Sequence, residues 1–484
     1  MGADLKRILL KQHIGAPCRP AVQIGDSVKR GSLLAVPEGL GALIHSGYAG
    51  TVVSVTDEAV TIQPADTQPD SFLQILPADD SMPAAVKAAG IVGMGGAGFP
   101  TGVKLAANLQ DGYVLVNAAE CEPLLGHNTA QLESQTAQTI RGVKYAMEIC
   151  HAKKGIFAIK AKHEKAVEAL DAALQDEADI SIHLLPDLYP MGEERAVVRE
   201  VLGTLLSPDS LPSAANAVVI NVETVLRIAQ AVEERRPCIT KNITVVGKLK
   251  SGTAPHIFMD VPIGTTVEEL IDQAGGIDGD YGEIILGGPF TGKAVTPDTP
   301  ITKTTGGIIV TQPFENLEKR KLGILLCACG GNEARMRDLA EKMNGDVVLI
   351  QKCKQAVDIK GTLKCENPGN CPGQALKCLN FKKAGCQDIL IGNCSDCTNT
   401  VMGSAPRLGL NVHHQTDHVL RTVGMEVMRQ LKVSKALPPP KDSKQPEVFE
   451  PYTFTPGSAG GMLRICIEKG KDIQIQFECT GGNK

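Results

Sequence analysis

Tryptophan is absent and the aromatic share is only 3%, so the chain offers little on which nucleic-acid bases could stack. Cationic excess is absent too. A net charge of -5 gives no field to draw in a phosphate backbone, and nucleic acid is not an expected partner. No apolar run approaches the roughly 18 residues of a spanning helix, so the chain is not expected to cross a membrane by itself. The opening MGADLKRILLKQHIG lacks the apolar core and small-residue cleavage site of a signal peptide, which makes the cytoplasm the expected location. In that reducing compartment the fifteen cysteines read as metal ligands, redox groups or buried small residues; the odd count also fits a complete disulfide framework poorly. The ferredoxin runs, bacterial C-x-x-C-x-x-C-x-x-x-C-P and plant-type, are both missing.

At 484 residues the chain exceeds one ordinary core of roughly 100 to 200 residues, and three to five units are expected. The pattern predicts a multidomain α/β and β protein. Residues 1–70 alternate short β-rich runs with Gly, Pro and Asp turns, the mark of a small barrel-sandwich hybrid. This module is similar to those that carry biotin or lipoyl groups, but the stretch EGLGALIHSGYAGTV stands where their modified lysine would be. Residues 84–236 alternate strands (YVLVNA, GIFAIKA, ISIHLLP) with helical segments, including one long polar helix over QLESQTAQTIRGVKYAMEI, and read as a layered α/β domain. Residues 243–312 fit a small β-grasp, SLBB-like unit. Over 321–433 the strands LGILL, DVVLI, DILIG and LNVHH each precede a helix-like stretch, which predicts a cysteine-rich open α/β domain with a parallel sheet. Residues 434–484 read as a Pro-rich linker and a short β tail.

The stretch Gly93 to Lys104 places five glycines within ten positions, letting backbone amides approach a phosphate or a planar ring. It has neither the flanks of a dinucleotide-binding fingerprint nor the Gly-Lys-Ser/Thr ending of a P-loop. Taken alone it would also suit a tight loop between elements.

Its neighbours carry a resemblance. GMGGAGFPTGVK, then VNAAECEP, YPMGEER and VINVET, resemble in order and spacing the flavin-binding core of the NADH-oxidising subunit of respiratory complex I and of the C subunit of Rnf complexes. QHIGAP, GDSVKRG and LGGPFTG extend the likeness to Rnf C subunits to about residue 315. Within that family the chain most resembles the soluble branch tied to D-proline reductase. The resemblance implies FMN and NADH. It places Gly93, Gly95, Gly96, Gly98 and Lys104 around the FMN phosphate and ribityl chain, with Phe99 beside the nicotinamide. Asn117, Glu120 and Glu122 would hold ribityl or ribose hydroxyls; Gly192, Glu193 and Glu194 continue the set, with Glu194 near the isoalloxazine edge; and Asn221 and Thr224 would close the phosphate side. Glu122 and Glu194 are the acids assigned to catalysis. Met94, Leu105, Ala119 and Ile220 depart from the complex I pattern of Arg, Trp, an acid and Asn.

In an open parallel sheet, ligand sites form beyond the carboxyl ends of the strands, where Cys327, Cys329, Cys353, Cys394 and Cys397 are expected. They could hold an iron-sulfur cluster, act as a redox dithiol such as Cys394 with Cys397, or bind structural zinc. The Cys-x-Cys-Gly opening is similar to cluster domains of heterodisulfide-reductase-type proteins. Cys365, Cys371 and Cys378 fall between these positions. Cys150, Cys238, Cys466 and Cys479 read as plain buried residues. His413, His414 and His418 fit either an extension of a metal site or a strand end running into a helix. The expected activity is a soluble electron-transfer flavoprotein passing electrons from NADH through FMN to a partner reductase with a thiol or selenol site, with D-proline reductase as the acceptor. The alternatives are an adaptor without dehydrogenase chemistry and a peripheral subunit of an Rnf-type ion-translocating complex. Self-association into a homo-oligomer is compatible with either.

Overall fold

The computed structural model describes residues 5–427 and the backbone of two later strands, Gly461–Cys466 and Gln474–Cys479. The chain divides into two compact units at Ser434/Lys435. In the second unit the two strands pair antiparallel, from Gly461 with Cys479 to Cys466 with Gln474. The Pro-rich linker lies outside the described residues, as do the side chains of Cys466 and Cys479.

The first unit holds four sheet regions in a single body. Near the N-terminus an antiparallel sheet built from Lys6–Leu9, Ala59–Pro64, Gly50–Val55 and Ser27–Val28 faces a smaller one of Arg19–Pro20, Leu33–Val36 and Ile44–His45. Ile8, Leu34, Ile44, Val60 and Ile62 fill the space between them. Next, Ile180–Leu185, Ala152–Lys160, Gly112–Ala118 and Ala217–Asn221 lie side by side as an all-parallel sheet. The middle of Gly112–Ala118 is the apolar run Val114-Leu115-Val116 because it is covered on both faces. Val114 and Val116 enter one core and Leu115 the other. The long polar helix expected here is two helices, His127–Ser134 and Thr136–Cys150, broken at Gln135 with φ -131°. The break accompanies the anchoring of Gln131, which is buried and donates to the Val222 carbonyl at 3.1 Å.

A five-stranded mixed sheet follows over 240–310, crossed by the helix Val267–Gln273. That helix starts where the sequence says it should: Thr266 caps it, and Glu269 returns a bond to the Thr266 backbone, a reciprocal pairing that satisfies two otherwise orphaned donors. The cysteine-rich region is a parallel sheet ordered Asp346–Lys352, Lys321–Leu326, Asp388–Ile391 and Asn411–His414. One expectation fails here. The strand Asp346–Lys352 does not run directly into a helix but into a hairpin, Ala356–Ile359 with Thr362–Cys365. Its turn residues Lys360 and Gly361 take φ of 54° and 80°, the two positive angles of a tight hairpin turn.

A buried ionic cluster welds the second region to the third. Glu223 and Lys241 form an ion pair, both with fully buried side chains. Arg227 donates to Glu223 at 3.0 Å and to Asp260 at 2.7 Å, while the Asn242 N–H donates to Glu223 at 2.9 Å. Removing the carboxylate would leave two buried cations facing each other. Glu223→Ala should therefore lower stability by about 3–5 kcal/mol, read as a shift of the urea midpoint; a change under about 1 kcal/mol would mean the cluster contributes little.

Candidate functional site

The glycine loop is a closed ring. The Gly93 N–H donates to the Phe99 carbonyl at 2.8 Å and the Gly98 N–H to the Gly93 carbonyl at 3.0 Å. Thr224, on the first turn of the helix Val222–Glu233, holds the back of the ring: its hydroxyl accepts from the Met94 N–H at 2.9 Å and donates to the Val92 carbonyl at 3.3 Å. Asn221 caps the same helix, accepting from the Glu223 N–H at 2.9 Å. A side chain at Gly95 would meet Asn221 at 3.0 Å, and Gly96 takes φ of 107° with open space before it. The tip of the loop is thus bare backbone facing a cavity of about 450 Å³, a volume within the range of small-molecule cofactor sites.

Gly95, Gly96, Asn117, Glu120, Glu122, Gly192, Glu193 and Asn221 all line that cavity. Asn117 donates to the Gly192 carbonyl at 2.8 Å, and Gly192 must be glycine because a Cβ there would stand 2.9 Å from Cys121. Glu193 caps the helix Glu194–Leu202, accepting from the Arg195 and Ala196 N–H groups at 3.0 Å. Glu120 sits at φ 35° and accepts from Asn128 at 2.9 Å. Desolvation raises its carboxyl to about 7. Glu122 is also raised by burial; its carboxylate accepts from the Phe290 N–H at 2.7 Å and the Thr291 hydroxyl at 2.5 Å, so it clamps the LGGPFTG loop to the cavity.

Six expected positions stand off the cavity wall: Gly93, Gly98, Phe99, Lys104, Glu194 and Thr224. Gly93 and Thr224 are occupied in the loop's own bonds. Gly98 packs where a Cβ would meet Thr304 at 3.1 Å and His13 at 3.3 Å. The Lys104 ammonium donates to the Val219 carbonyl at 2.9 Å, lies 3.9 Å from Glu194 and sits over the Phe99 ring. These three side chains satisfy one another beside the loop. The departures from the complex I pattern at Met94, Leu105, Ala119 and Ile220 are all buried apolar positions.

The wall also holds residues that the sequence does not single out. Arg195 is buried, donates through Nε to Glu193 at 3.0 Å and keeps Nη1 unpartnered; Asn128 keeps its Oδ1 unpartnered. Both are polar atoms free to meet a ligand, and Arg195 stands inside the motif YPMGEER. Cys121 and Tyr189 belong to the same motifs and line the same cavity. Bare loop amides, an unpaired guanidinium nitrogen and a wall of amides and carboxyls form a donor and acceptor set that fits a flavin mononucleotide.

Behind this wall lies a second, narrower chamber lined by Cys327, Cys329, Cys353, Cys365, Cys371, Cys394 and Cys397. The five expected cysteines do converge there, and Cys365 and Cys371, brought in by the hairpin and the loop after it, join them. Cys329 faces the thiols of Cys365 and Cys394, and Cys371 faces Cys397. The Cys397 contact lowers Cys371 to about 6, whereas burial pushes Cys327 up to about 12. Among the described residues no group of three or more His, Cys, Asp and Glu side chains is closed up enough to hold a metal ion. The all-thiol donor set suits iron-sulfur ligation, and four thiolates equally suit zinc. His413, His414 and His418 lie away from the chamber's lining, bonded to Asp388 at 3.0 Å, Thr398 at 3.1 Å and Glu283 at 2.9 Å respectively. Cys378 is buried in the core.

A glycine-tipped cavity backed by a thiol chamber defines a flavin-binding electron-transfer protein. Residues 86–230 match the Nuo51 FMN-binding domain and residues 4–68 the RnfC barrel sandwich hybrid domain. The chain is 36% identical over 321 residues to the cobalamin reductase PduS of Salmonella typhimurium, covering 66% of each chain. It is 32% identical over 323 residues to the C subunit of the Na(+)-translocating ferredoxin:NAD(+) oxidoreductase complex of Acetobacterium woodii, over 62% of this chain and 72% of that one. To its counterpart in the proton-translocating complex of Clostridium ljungdahlii it is 33% identical, over 62% and 69%. The chain belongs to the RnfC-like family of electron-transfer oxidoreductase subunits, and FMN is the cofactor of its 86–230 domain. No helix among the described residues is long and apolar enough to cross a membrane.

The raised Glu120 carboxyl has a measurable sign. Between pH 4.5, its ordinary value, and about 7 the folded chain holds a proton that the unfolded chain has lost, so this group's contribution to stability falls as pH rises through that window. Flavin-free Glu120→Gln should be more stable than the parent by roughly 3 kcal/mol at pH 8 and close to it near pH 4.5. A pH-independent difference in urea denaturation would refute the shift.

Proposed function

We propose that this chain accepts hydride from NADH at the flavin cavity and releases electrons through the cysteine chamber to a partner reductase whose thiol or selenol site must be re-reduced. The observation that carries the reading is a shared wall: Cys329 and Cys365 line both the cavity and the chamber. FMN supplies a centre that takes a hydride and gives up single electrons. The chain contributes the loop amides of Gly95 and Gly96, the Arg195 guanidinium, and Asn117, Glu120 and Glu193 to orient it. A nicotinamide donor is supported by the names of two relatives, which are NAD(+) oxidoreductases.

For the acceptor, D-proline reductase is our finer reading, which would make the chain the cytoplasmic electron-transfer protein PrdC. Its support is the resemblance to that soluble branch, together with a cysteine-rich α/β region in place of ferredoxin-type runs. The chamber's all-thiol lining supports an iron-sulfur cluster there, with Cys329, Cys353, Cys365, Cys371 and Cys394 among its candidate ligands. The family also supports a second reading, a peripheral subunit of an ion-translocating complex; stable co-purification with hydrophobic subunits would favour it.

Anaerobic NADH should bleach the flavin band near about 450 nm, and a protein with bound FMN that does not bleach is no NADH dehydrogenase. In Cys365→Ser the bleaching rate should match the parent, while onward transfer to an electron acceptor drops at least about tenfold; equal transfer would remove Cys365 from the route. Iron and sulfide present in the parent and lost in both Cys329→Ser and Cys394→Ser would support the cluster. An iron-free parent that yields titratable dithiols would assign the chamber to disulfide chemistry.

A further inference from the structure

The chamber is sealed on its inner side and opens on its outer one. Cys327, Cys329, Cys394 and Cys397 are each no more than 9% exposed, whereas Cys353, Cys365 and Cys371 are half-buried. The chain around these outer thiols is basic. Lys352 and Lys354 flank Cys353, Lys364 precedes Cys365, and Lys360 is at the tip of the hairpin; all four are exposed. Between Lys352 and Glu366 they stand against two acids, Asp358 and Glu366. Asp358 is already engaged by the Gly361 N–H at 2.7 Å. None of the four lysines is ion-paired among the described residues. Elsewhere the chain is acidic enough to carry a net charge of -5, so this local excess runs against the rest. Past Cys371 and Pro372, the helix Ala375–Lys383 begins with Leu376 56% exposed and continues to Leu379 at 38%. Exposed cations beside the only partly open thiols of a redox chamber, with exposed leucines on the helix that follows, have the composition of a transient docking face.

We infer that the outer mouth of the cysteine chamber is the docking face for a redox partner with an acidic surface, steered onto Cys353 and Cys371 by Lys352, Lys354 and Lys360. The inference rests on the reading of the chamber as the electron exit and adds the charge of the partner to it. Unpaired lysines on an exposed rim act mainly on encounter, so the dependence on salt should be steep. Steering also explains why the lysines sit on a hairpin and strand end beside the thiols rather than over the flavin cavity, where only Lys364 reaches.

The test uses the full chain with FMN bound. Its probe is a small acidic ferredoxin, with basic cytochrome c as the opposite-charge control. Binding of the ferredoxin should weaken at least tenfold between about 50 and 300 mM salt. The triple variant Lys352→Glu/Lys354→Glu/Lys360→Glu should lose at least tenfold in affinity at low salt and should gain affinity for the cytochrome. The triple Lys→Gln variant should fall between and control for folding. Flavin bleaching should be the same in all of them. Ferredoxin that fails to bind the parent, or binds the Glu variant equally well, overturns the docking face. Charge-dependent binding without any bleaching by NADH keeps the docking face and removes the dehydrogenase reading, so the two failures are separable.

Discussion

The functional centre depends on one half-buried carboxylate, Glu122, which leaves the flavin-domain motif VNAAECEP and accepts from Phe290 and Thr291 in the loop of the next sheet region. The partner loop is shaped for it, since a Cβ on Gly288 would lie 2.3 Å from the Glu122 carboxyl carbon. Phe290 then does two further things. Its ring meets Tyr189 edge-on at 4.1 Å, and its carbonyl accepts from Gln415 at 2.9 Å, at the end of the cysteine-rich sheet. A chain of contacts from one acid therefore fixes the flavin cavity against the thiol chamber. Tyr189 adds a second tie, exchanging backbone and side-chain bonds with Ser395 at 2.9 and 3.0 Å, within Cys394-Ser-Asp-Cys397. Arg199 adds a third, donating to Asn367 at 2.7 Å and to the Pro368 carbonyl at 2.6 Å. Electron transfer needs fixed separation, and three independent ties supply it.

That arrangement separates residues that hold the site from residues that face it. Thr224, Lys104 and Glu194 resemble ligand contacts in the sequence, yet each is occupied by a neighbour. Their work is to fix the shape of the loop whose tip stays bare. Asn221 serves both ends: its carbonyl oxygen caps a helix while its body packs under Gly95. The barrel-sandwich module also acts by support. Lys303, fully buried in the third region, donates to the Leu43 carbonyl at 2.6 Å and the Gly90 carbonyl at 2.7 Å, and Gly90 lies just before the glycine loop. The module thus stiffens the loop's approach even though it lacks an attachment lysine.

Strands are readable from the sequence because their apolar runs are short and bounded by Gly and Pro. Strand ends also reveal the convergence of Cys327, Cys353 and Cys394, since a parallel sheet aligns its carboxyl ends. What is not readable is the pairing of side chains across long sequence separations. Nothing local marks Lys104 for Val219, or Glu122 for Phe290 at a separation of 168 residues. Arg195 is inside the motif YPMGEER, but its unpaired nitrogen is a property of packing. The hairpin does leave a trace. Ala-Val-Asp-Ile and Thr-Leu-Lys-Cys alternate on either side of Lys360-Gly361, a two-residue turn pattern hidden by the stronger expectation of a crossover helix.

The hairpin decides how the two cavities relate. A crossover helix directly after Lys352 would have covered the sheet and left the cavity and chamber apart. Instead Thr362–Cys365 turns its residues onto the flavin cavity while Cys365 also enters the chamber. Leu363 and the Tyr189–Phe290 pair bring apolar groups to this partition. The hairpin tip presents Lys360 outward, while Lys364 stands at the cavity wall. One short hairpin thus joins three tasks: closing the flavin cavity, placing a thiol between the two chambers, and charging the outer rim. Each requires a hairpin rather than a helix, because only a returning extended strand brings Leu363, Lys364 and Cys365 to the cavity wall while leaving Lys360 at the exposed tip.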